Sequence, residues 1–106
     1  MGWLSNLFSR GSKPDVAAMV SEGALLLDVR GAEEFATGSI PGAINIPHDQ
    51  VAARIGAVES NTARPVVVYC LSGGRSAMAV AALQRAGYST VVNAGGIAEA
   101  RKVLES

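Results

Sequence analysis

The residue best suited to chemistry is Cys70, the only cysteine among the 106 residues of the chain. It follows Val66-Val67-Val68-Tyr69, whose β-branched and aromatic side chains predict a strand. Past a short loop comes an alanine-rich stretch, residues 76–86, that predicts a helix. A thiol near a helix N-terminus has a lowered pKa, because that end of the helix carries partial positive charge. The sequence therefore predicts a largely ionised, nucleophilic thiol between a strand and a helix.

The loop after Cys70 has the composition of an anion-binding site. Two adjacent glycines allow successive backbone N–H groups to point toward one centre without a Cβ clash. Arg75 adds a guanidinium that can hold an oxyanion through two hydrogen bonds, and Ser76 is placed to cap the helix. We predict that Cys70 is catalytic and that the substrate is bound by the loop that follows, Leu71, Ser72, Gly73, Gly74, Arg75 and Ser76.

Each of these residues also has an ordinary structural interpretation. A lone cysteine after an apolar strand is often an inert core residue, and glycines often form only a turn. The combination strongly favours a reactive Cys70 and favours an anion contact for Arg75, whereas a chemical role for Ser72 or Ser76 stays open. Neither Gly-x4-Gly-Lys-Ser/Thr nor Gly-x-Gly-x-x-Gly occurs, so the loop is not one of the common nucleotide-binding motifs.

Composition excludes several classes of protein. One cysteine cannot form an intramolecular disulfide, and with His48 as the only histidine the chain lacks the ligands of an all-protein zinc site. Nine basic and nine acidic residues give zero net charge, which argues against a nucleic-acid or anionic-membrane partner. The longest apolar run, Ala77 to Leu83, is too short to span a bilayer, and no secretory signal is evident. We expect a cytoplasmic protein without metal or cofactor.

The first thirteen residues differ from the rest of the chain. We predict that residues 1–13 form an amphipathic appendage to a single domain of residues 14–106, because their apolar side chains recur at helical spacing: Trp3, Leu4, Leu7 and Phe8. Only Arg10 and Lys13 are basic in this segment. Packing on the domain or on a second copy is therefore favoured over membrane contact through residues 3–8.

The elements that must position the site alternate along the domain. The first predicted helix starts at Ser12 and Pro14 and ends at Gly23. The predicted strands that follow cover residues 24–27, 43–46, 66–69 and 90–92. The predicted helices between and after them cover residues 31–37, 48–58, 76–86 and 97–104. Residues 93–96 are predicted to be a loop and residues 76–86 a buried helix. Such alternation predicts an α/β fold with a parallel sheet, whose ligands bind at the carboxyl ends of the strands.

Several spaced motifs resemble those of single-domain rhodanese-like sulfurtransferases. The resemblance covers about residues 14 to 104, and its motifs are Leu26 to Arg30, Glu34-Phe35, Gly38 to Pro47, Val68-Tyr69-Cys70 with its loop, and Gly87-Tyr88 through Asn93 to Gly96. It implies a rhodanese-like α/β fold, in which a central parallel sheet of four to five short strands is flanked by helices on both faces.

The resemblance also implies an activity. The Cys70 thiolate would take the outer sulfur of a small anionic donor such as thiosulfate, release sulfite and become a persulfide, which cyanide or a thiol would then discharge. The alternative is a persulfide relay or binding module that serves a sulfur-accepting protein. A related fold, that of dual-specificity phosphatases, places its arginine six positions after the cysteine; here Arg75 is five after Cys70, which disfavours phosphatase activity.

Three further positions carry expectations. Ser39 stands where many family members have histidine before Ile-Pro-Gly, which makes this position structural. We predict that Asp28 accepts hydrogen bonds within its loop and that Arg30 pairs with an acid such as Glu34. His48 is predicted to be a surface or capping residue. The usual first strand of the family would have to come from residues 7–13, or else that edge of the sheet is open.

Overall fold

The computed structural model describes residues 15–105. The helices are α1 (Val16–Ser21), α2 (Ala32–Ala36), α3 (Val51–Val58), α4 (Gly74–Arg85) and α5 (Ile97–Leu104), and a 3-10 turn covers His48–Gln50. The strands are β1 (Leu25–Asp28), β2 (Ile44–Asn45), β3 (Val66–Cys70) and β4 (Val91–Gly96). The predicted appendage of residues 1–13, the expected helix start at Ser12 and Pro14 and any strand from residues 7–13 lie outside the described residues.

The four strands form one parallel sheet in the order β2-β1-β3-β4. β1 and β3 occupy the centre, and every residue of both strands is buried. This explains why their sequences are continuous apolar runs without the polar alternation of a half-exposed strand. The α/β fold with a central parallel sheet is confirmed, with four strands in the described part of the chain.

Helices cover both faces of the sheet, as predicted. One face packs with α3 and α4 into a core that contains Leu27, Val68, Ile55 and Leu83, all at most 2% exposed. The other packs with α1 and α5 around Met19, Leu26, Val67 and Tyr69. Within residues 15–105, no helix is long and apolar enough to cross a membrane.

Two local predictions about the second half of the chain are wrong. Residues 93–96, expected to be a loop, are the end of β4, because this segment continues to pair with β3 up to Gly96 beside Cys70. α4 is buried on one face only, since Ala79 and Leu83 face the sheet while Met78 is 60% exposed. Its alanines suit a helix in an outer layer as well as a buried one, so their abundance did not distinguish the two.

A buried ion pair joins the end of β1 to the chain that follows. The Arg30 guanidinium donates through Nε and Nη2 to the Asp28 carboxylate at 2.7–3.1 Å, and Nη2 also donates to the Gly38 carbonyl at 2.7 Å. The Arg30 backbone N–H donates to Asp28 Oδ1, so the predicted role of Asp28 as a loop acceptor is confirmed. The prediction that Arg30 pairs with an acid is confirmed, but the acid is Asp28 and not Glu34, because Glu34 pairs with Arg75 instead.

Candidate active site

Cys70 is the last residue of β3 and lies at the carboxyl edge of the sheet, where the sequence predicted a site. The residue is free and 1% exposed, enclosed by the core on one side and the loop on the other. Asn93 of β4 pairs with Val68 of β3, and Gly96 pairs with Cys70. Between these two pairs, β4 has two residues where β3 has one. This extra residue is a β-bulge, a feature that redirects side chains at sites of this kind.

The loop turns back so that its amides approach the sulfur. The Gly73 N–H donates to Cys70 Sγ at 2.8 Å. Gly73 has a φ of +102°, a left-handed conformation that favours glycine, and it is the N-cap residue of α4. The thiol therefore faces the N-terminus of a twelve-residue helix, whose unpaired amides and dipole attract negative charge.

The net electrostatic effect of this environment is to lower the pKa of Cys70 below its ordinary value. Burial raises the pKa, but hydrogen bonds from the Ser76 side chain and from the amides of Ser76, Gly73 and Ser72 outweigh it. A sulfur in this position is held more readily as a thiolate than a free cysteine is. The pattern of amides around the sulfur accounts for the ionisation without a neighbouring base.

Ser76 lies inside α4, so the prediction that it caps the helix is wrong. Its hydroxyl is 3.4 Å from Cys70 Sγ and is placed to donate to the Gly73 carbonyl at 2.9 Å or to Asn93 Oδ1 at 2.7 Å. While Cys70 is a thiol, the hydroxyl accepts from it through a lone pair and gives its own proton to one of these acceptors. When the sulfur is ionised, the hydroxyl can turn its proton toward it, and this donated hydrogen bond lowers the pKa of Cys70. Ser76 is fully buried, and its hydroxyl connects the sulfur to β4.

The sequence predicted no role for Asn93, yet this residue braces the loop from the neighbouring strand. Its Oδ1 faces the Ser76 hydroxyl and accepts from the Gly95 N–H at 2.8 Å, while Nδ2 donates to the Gly73 carbonyl at 3.4 Å. Asn93 was visible as a polar residue near a strand end. Its contacts with the loop join residues 17 and 20 positions apart in the chain, and no sequence pattern indicated them.

Gly96 fits the loop for a steric reason. A Cβ at this position would lie 2.6 Å from the carbonyl oxygen of Leu71 and 3.3 Å from the Cα of Ser72. Both neighbours are backbone atoms, which side-chain rotation cannot move away. The close approach of β4 to the loop therefore requires glycine at position 96.

Arg75 lies beside the loop but is already paired. Its Nη1 and Nη2 donate to the two carboxylate oxygens of Glu34 at 2.6 and 2.9 Å, and Glu34 Oε1 also accepts from the Gly31 N–H. The two side chains are 31% and 35% exposed. The Arg75 hydrogen bond, with that from Gly31, lowers the pKa of the Glu34 carboxyl to about 2. The sequence predicted the guanidinium at this place but not its carboxylate partner.

The remaining predicted residues lie at the surface of the site. Leu71 is 57% exposed, and Ser72 and Gly74 are also exposed, so this part of the loop faces solvent. His48 begins the 3-10 turn and its backbone N–H donates to the Val29 carbonyl. Across residues 15–105, no group of three or more histidine, cysteine or acidic side chains could hold a metal ion.

Comparisons with known proteins agree with this geometry. The model of the rhodanese-like domain family matches residues 12–102. A sulfurtransferase of Allochromatium vinosum is 41% identical over 76 residues, which cover 72% of this chain and 69% of that protein. The thiosulfate sulfurtransferase PspE of Escherichia coli is 39% identical over 71 residues, 67% of this chain and 68% of that protein.

A solved structure extends the likeness to the fold. An E. coli rhodanese, determined with anions, superposes with a TM-score of 0.70 at 36% sequence identity and covers 73% of this chain and 91% of its own. The fold, the matched family model and the sulfurtransferase relatives all point the same way, which confirms the resemblance seen in the sequence. The chain belongs to the rhodanese-like domain family and is a relative of the sulfurtransferases.

Proposed function

We propose that this chain is a sulfurtransferase in which Cys70 carries the transferred sulfur as a persulfide. The Cys70 thiolate attacks the outer sulfur of a donor such as thiosulfate, so that a new S–S bond forms while the S–S bond of thiosulfate breaks. The electron pair of the broken bond leaves with sulfite. One negative charge stays on the outer sulfur of the persulfide, and no oxidant or reductant is needed.

The observation that carries this proposal is the hydrogen bond from the Gly73 N–H to Cys70 Sγ at 2.8 Å, made at the N-terminus of α4. It lowers the pKa of the attacking thiol. The amides of Ser76, Gly73 and Ser72 act on the sulfur, and we expect the loop from Leu71 to Ser76 to supply donors for the anionic persulfide. The substrate-binding roles of Leu71, Ser72, Gly73, Gly74, Arg75 and Ser76 are part of this proposal.

The second half-reaction returns the enzyme to its starting state. Cyanide, or a thiolate acceptor, attacks the outer sulfur of the persulfide, and the electron pair of the breaking S–S bond returns to Cys70 Sγ. No proton has to move when both reactants are anions, so this step needs no general base. The site fits that requirement, because hydrogen bonds stabilise the thiolate. Two successive half-reactions on one sulfur produce ping-pong kinetics.

Steady-state turnover tests this function. Thiocyanate formation is measured while thiosulfate and cyanide are varied together, for the wild type and for Cys70→Ser. The wild type is expected to give parallel double-reciprocal lines, and the variant no thiocyanate above the uncatalysed rate. Intersecting lines, or turnover by Cys70→Ser, would contradict a persulfide on Cys70.

A second candidate is a relay that passes the persulfide to a protein acceptor. The exposed Leu71 directly follows the reactive residue, and an apolar side chain at that place suits contact with another protein. In this case, the chain would accept sulfur from thiosulfate at a normal rate but release it slowly to cyanide. Comparing the rates of the two half-reactions in single-turnover experiments separates the two candidates.

A further inference from the structure

Arg75 provides the only guanidinium of the loop, and a carboxylate of the same chain neutralises its charge. Arg75 and Glu34 form a bidentate pair with both oxygens engaged, at 2.6 and 2.9 Å. Two parallel N–H···O bonds make this the strong geometry for an arginine and a carboxylate. The pKa of Glu34, lowered to about 2, keeps the carboxylate ionised across the range in which sulfurtransferases are assayed. The pair presents no net charge to a ligand in front of Cys70.

Other charged groups near the loop do not replace that cation. The Asp28–Arg30 pair is buried and neutral as a unit. On the opposite side of the loop, Glu99 Oε1 lies 3.6 Å from the position that a Cβ of Gly95 would occupy, and Gly95 borders Gly73. These contacts place backbone amides, a neutralised guanidinium and, on the α5 side, the Glu99 carboxylate around the loop.

This arrangement affects donors according to their charge. The helix N-terminus contributes a partial charge of about half a unit, which is enough to favour a single negative charge on the reacting sulfur. A dianion such as thiosulfate carries a second charge on its sulfonate oxygens, which reach beyond the amides toward the mouth of the loop. There it would gain from a free Arg75, but it meets Arg75 already paired with Glu34.

We propose that Glu34, by holding Arg75, makes this site select singly charged sulfane-sulfur donors, such as persulfide and thiosulfonate anions, over dianionic thiosulfate. The inference rests on the proposed function, since it concerns the donor of the same reaction. Glu34 is a specificity-determining residue in this account: it touches Arg75 and not the reacting atoms.

Methanethiosulfonate is the matched probe for a singly charged donor. It has a methyl group where thiosulfate has a charged oxygen, and it reacts in the same way. Cys70 Sγ attacks the terminal sulfur, a Cys70 S–S bond forms, the donor S–S bond breaks, and methanesulfinate leaves with the electron pair. The product on the enzyme is the same persulfide, so cyanide discharges it at the same rate whichever donor was used.

The test compares kcat/KM for the two donors in the wild type, Glu34→Gln and Glu33→Gln. Glu33 is exposed on the same short helix α2, so its replacement changes the net charge equally without touching the pair. Glu34→Gln is expected to raise the thiosulfate-to-methanethiosulfonate ratio about fivefold, mainly by lowering KM for thiosulfate, as freeing one partially exposed charge should. Glu33→Gln is expected to change the ratio by less than about twofold.

Three results would overturn the inference. An unchanged ratio in Glu34→Gln would mean that the pair does not discriminate between donors. An equal rise in Glu33→Gln would assign the effect to general surface charge. An equal loss of kcat with both donors in Glu34→Gln would mean that Glu34 only positions Arg75. Failure of the wild type to gain sulfur from either donor is a different outcome, because it refutes the proposed function itself.

Discussion

Two arginine–carboxylate pairs lie at the carboxyl edge of the same sheet and do different things. In the Asp28–Arg30 pair the side chains are 0% and 6% exposed, and the guanidinium also bonds the Gly38 carbonyl and lies 6.0 Å from the centre of the Tyr69 ring. In the Glu34–Arg75 pair, the side chains are about a third exposed.

The difference shows how one chemical motif can serve the fold in one place and the site in another. A buried pair has lost its hydration on both sides, so each charge depends on the other, whereas an exposed pair can exchange its partner for water or a ligand. The chain thus has one arginine fixed by the fold and another, Arg75, whose charge becomes available to solvent or a ligand once Glu34 is replaced.

Replacing Arg30 should break the fold most severely. Arg30→Met keeps much of the apolar stem but leaves the Asp28 carboxylate buried without its cation, so we expect a loss of about 3 to 5 kcal/mol in the free energy of unfolding. Urea denaturation at neutral pH measures it. Arg75→Met is the matched control, because it makes the same substitution in the exposed pair, and its effect should be far smaller. Equal losses in the two variants would show that the two pairs do not differ in kind.

Removing the Ser76 hydroxyl, an uncharged hydrogen-bonding group, tests whether hydrogen bonds lower the pKa of Cys70. In Ser76→Ala, Cys70 loses its side-chain partner and its pKa should rise. Since one hydrogen bond contributes about 1 kcal/mol, the pH profile of alkylation by iodoacetamide should move to higher pH, and at a pH below the pKa of both proteins the rate should be about fivefold lower in the variant. Ser21→Ala, which removes an exposed hydroxyl on α1, serves as the control. An unchanged pH profile of alkylation in Ser76→Ala would remove Ser76 from the account.

The smallest expected effect is the pH dependence of the exposed pair. The pKa of Glu34 is lowered from 4.5 to about 2 in the folded protein, so its contribution to stability is complete above pH 4.5 and is lost as the pH falls toward 2. The difference in urea midpoint between wild type and Glu34→Gln should therefore shrink between pH 6 and pH 3. A difference that grows on acidification would mean that Glu34 is not held as a carboxylate by Arg75.

Much of the architecture follows from the sequence because it depends on local patterns. The apolar runs that became β1 and β3 and the spacing of helices between them define a parallel α/β sheet, and the carboxyl edge follows from that topology. The reactive Cys70 could be recognised because a cysteine in a glycine-rich loop before a helix is a local pattern that is visible in the sequence. The pKa of its thiol is lowered as that pattern implied.

The partners of the site could not be predicted in the same way. Asn93 braces the loop through Ser76 and Gly73, which lie 17 and 20 positions away in the chain, and it belongs to a strand that continues to Gly96, where the sequence suggested that the strand had ended. Glu34 was assigned to Arg30, and only the three-dimensional placement of α2 shows that it faces Arg75, 41 positions away in the chain. Contacts of this kind depend on how elements meet, which periodicity and turn chemistry do not specify.

The intact mass of the protein shows whether Cys70 carries the transferred sulfur. The wild type and Cys70→Ser are incubated with thiosulfate, desalted and weighed, and then treated with cyanide and weighed again. If Cys70 carries the transferred sulfur, the wild type gains one sulfur atom and loses it to cyanide with formation of one equivalent of thiocyanate. Cys70→Ser gains none. A wild type that gains no sulfur, or a variant that gains as much, would contradict this role of Cys70.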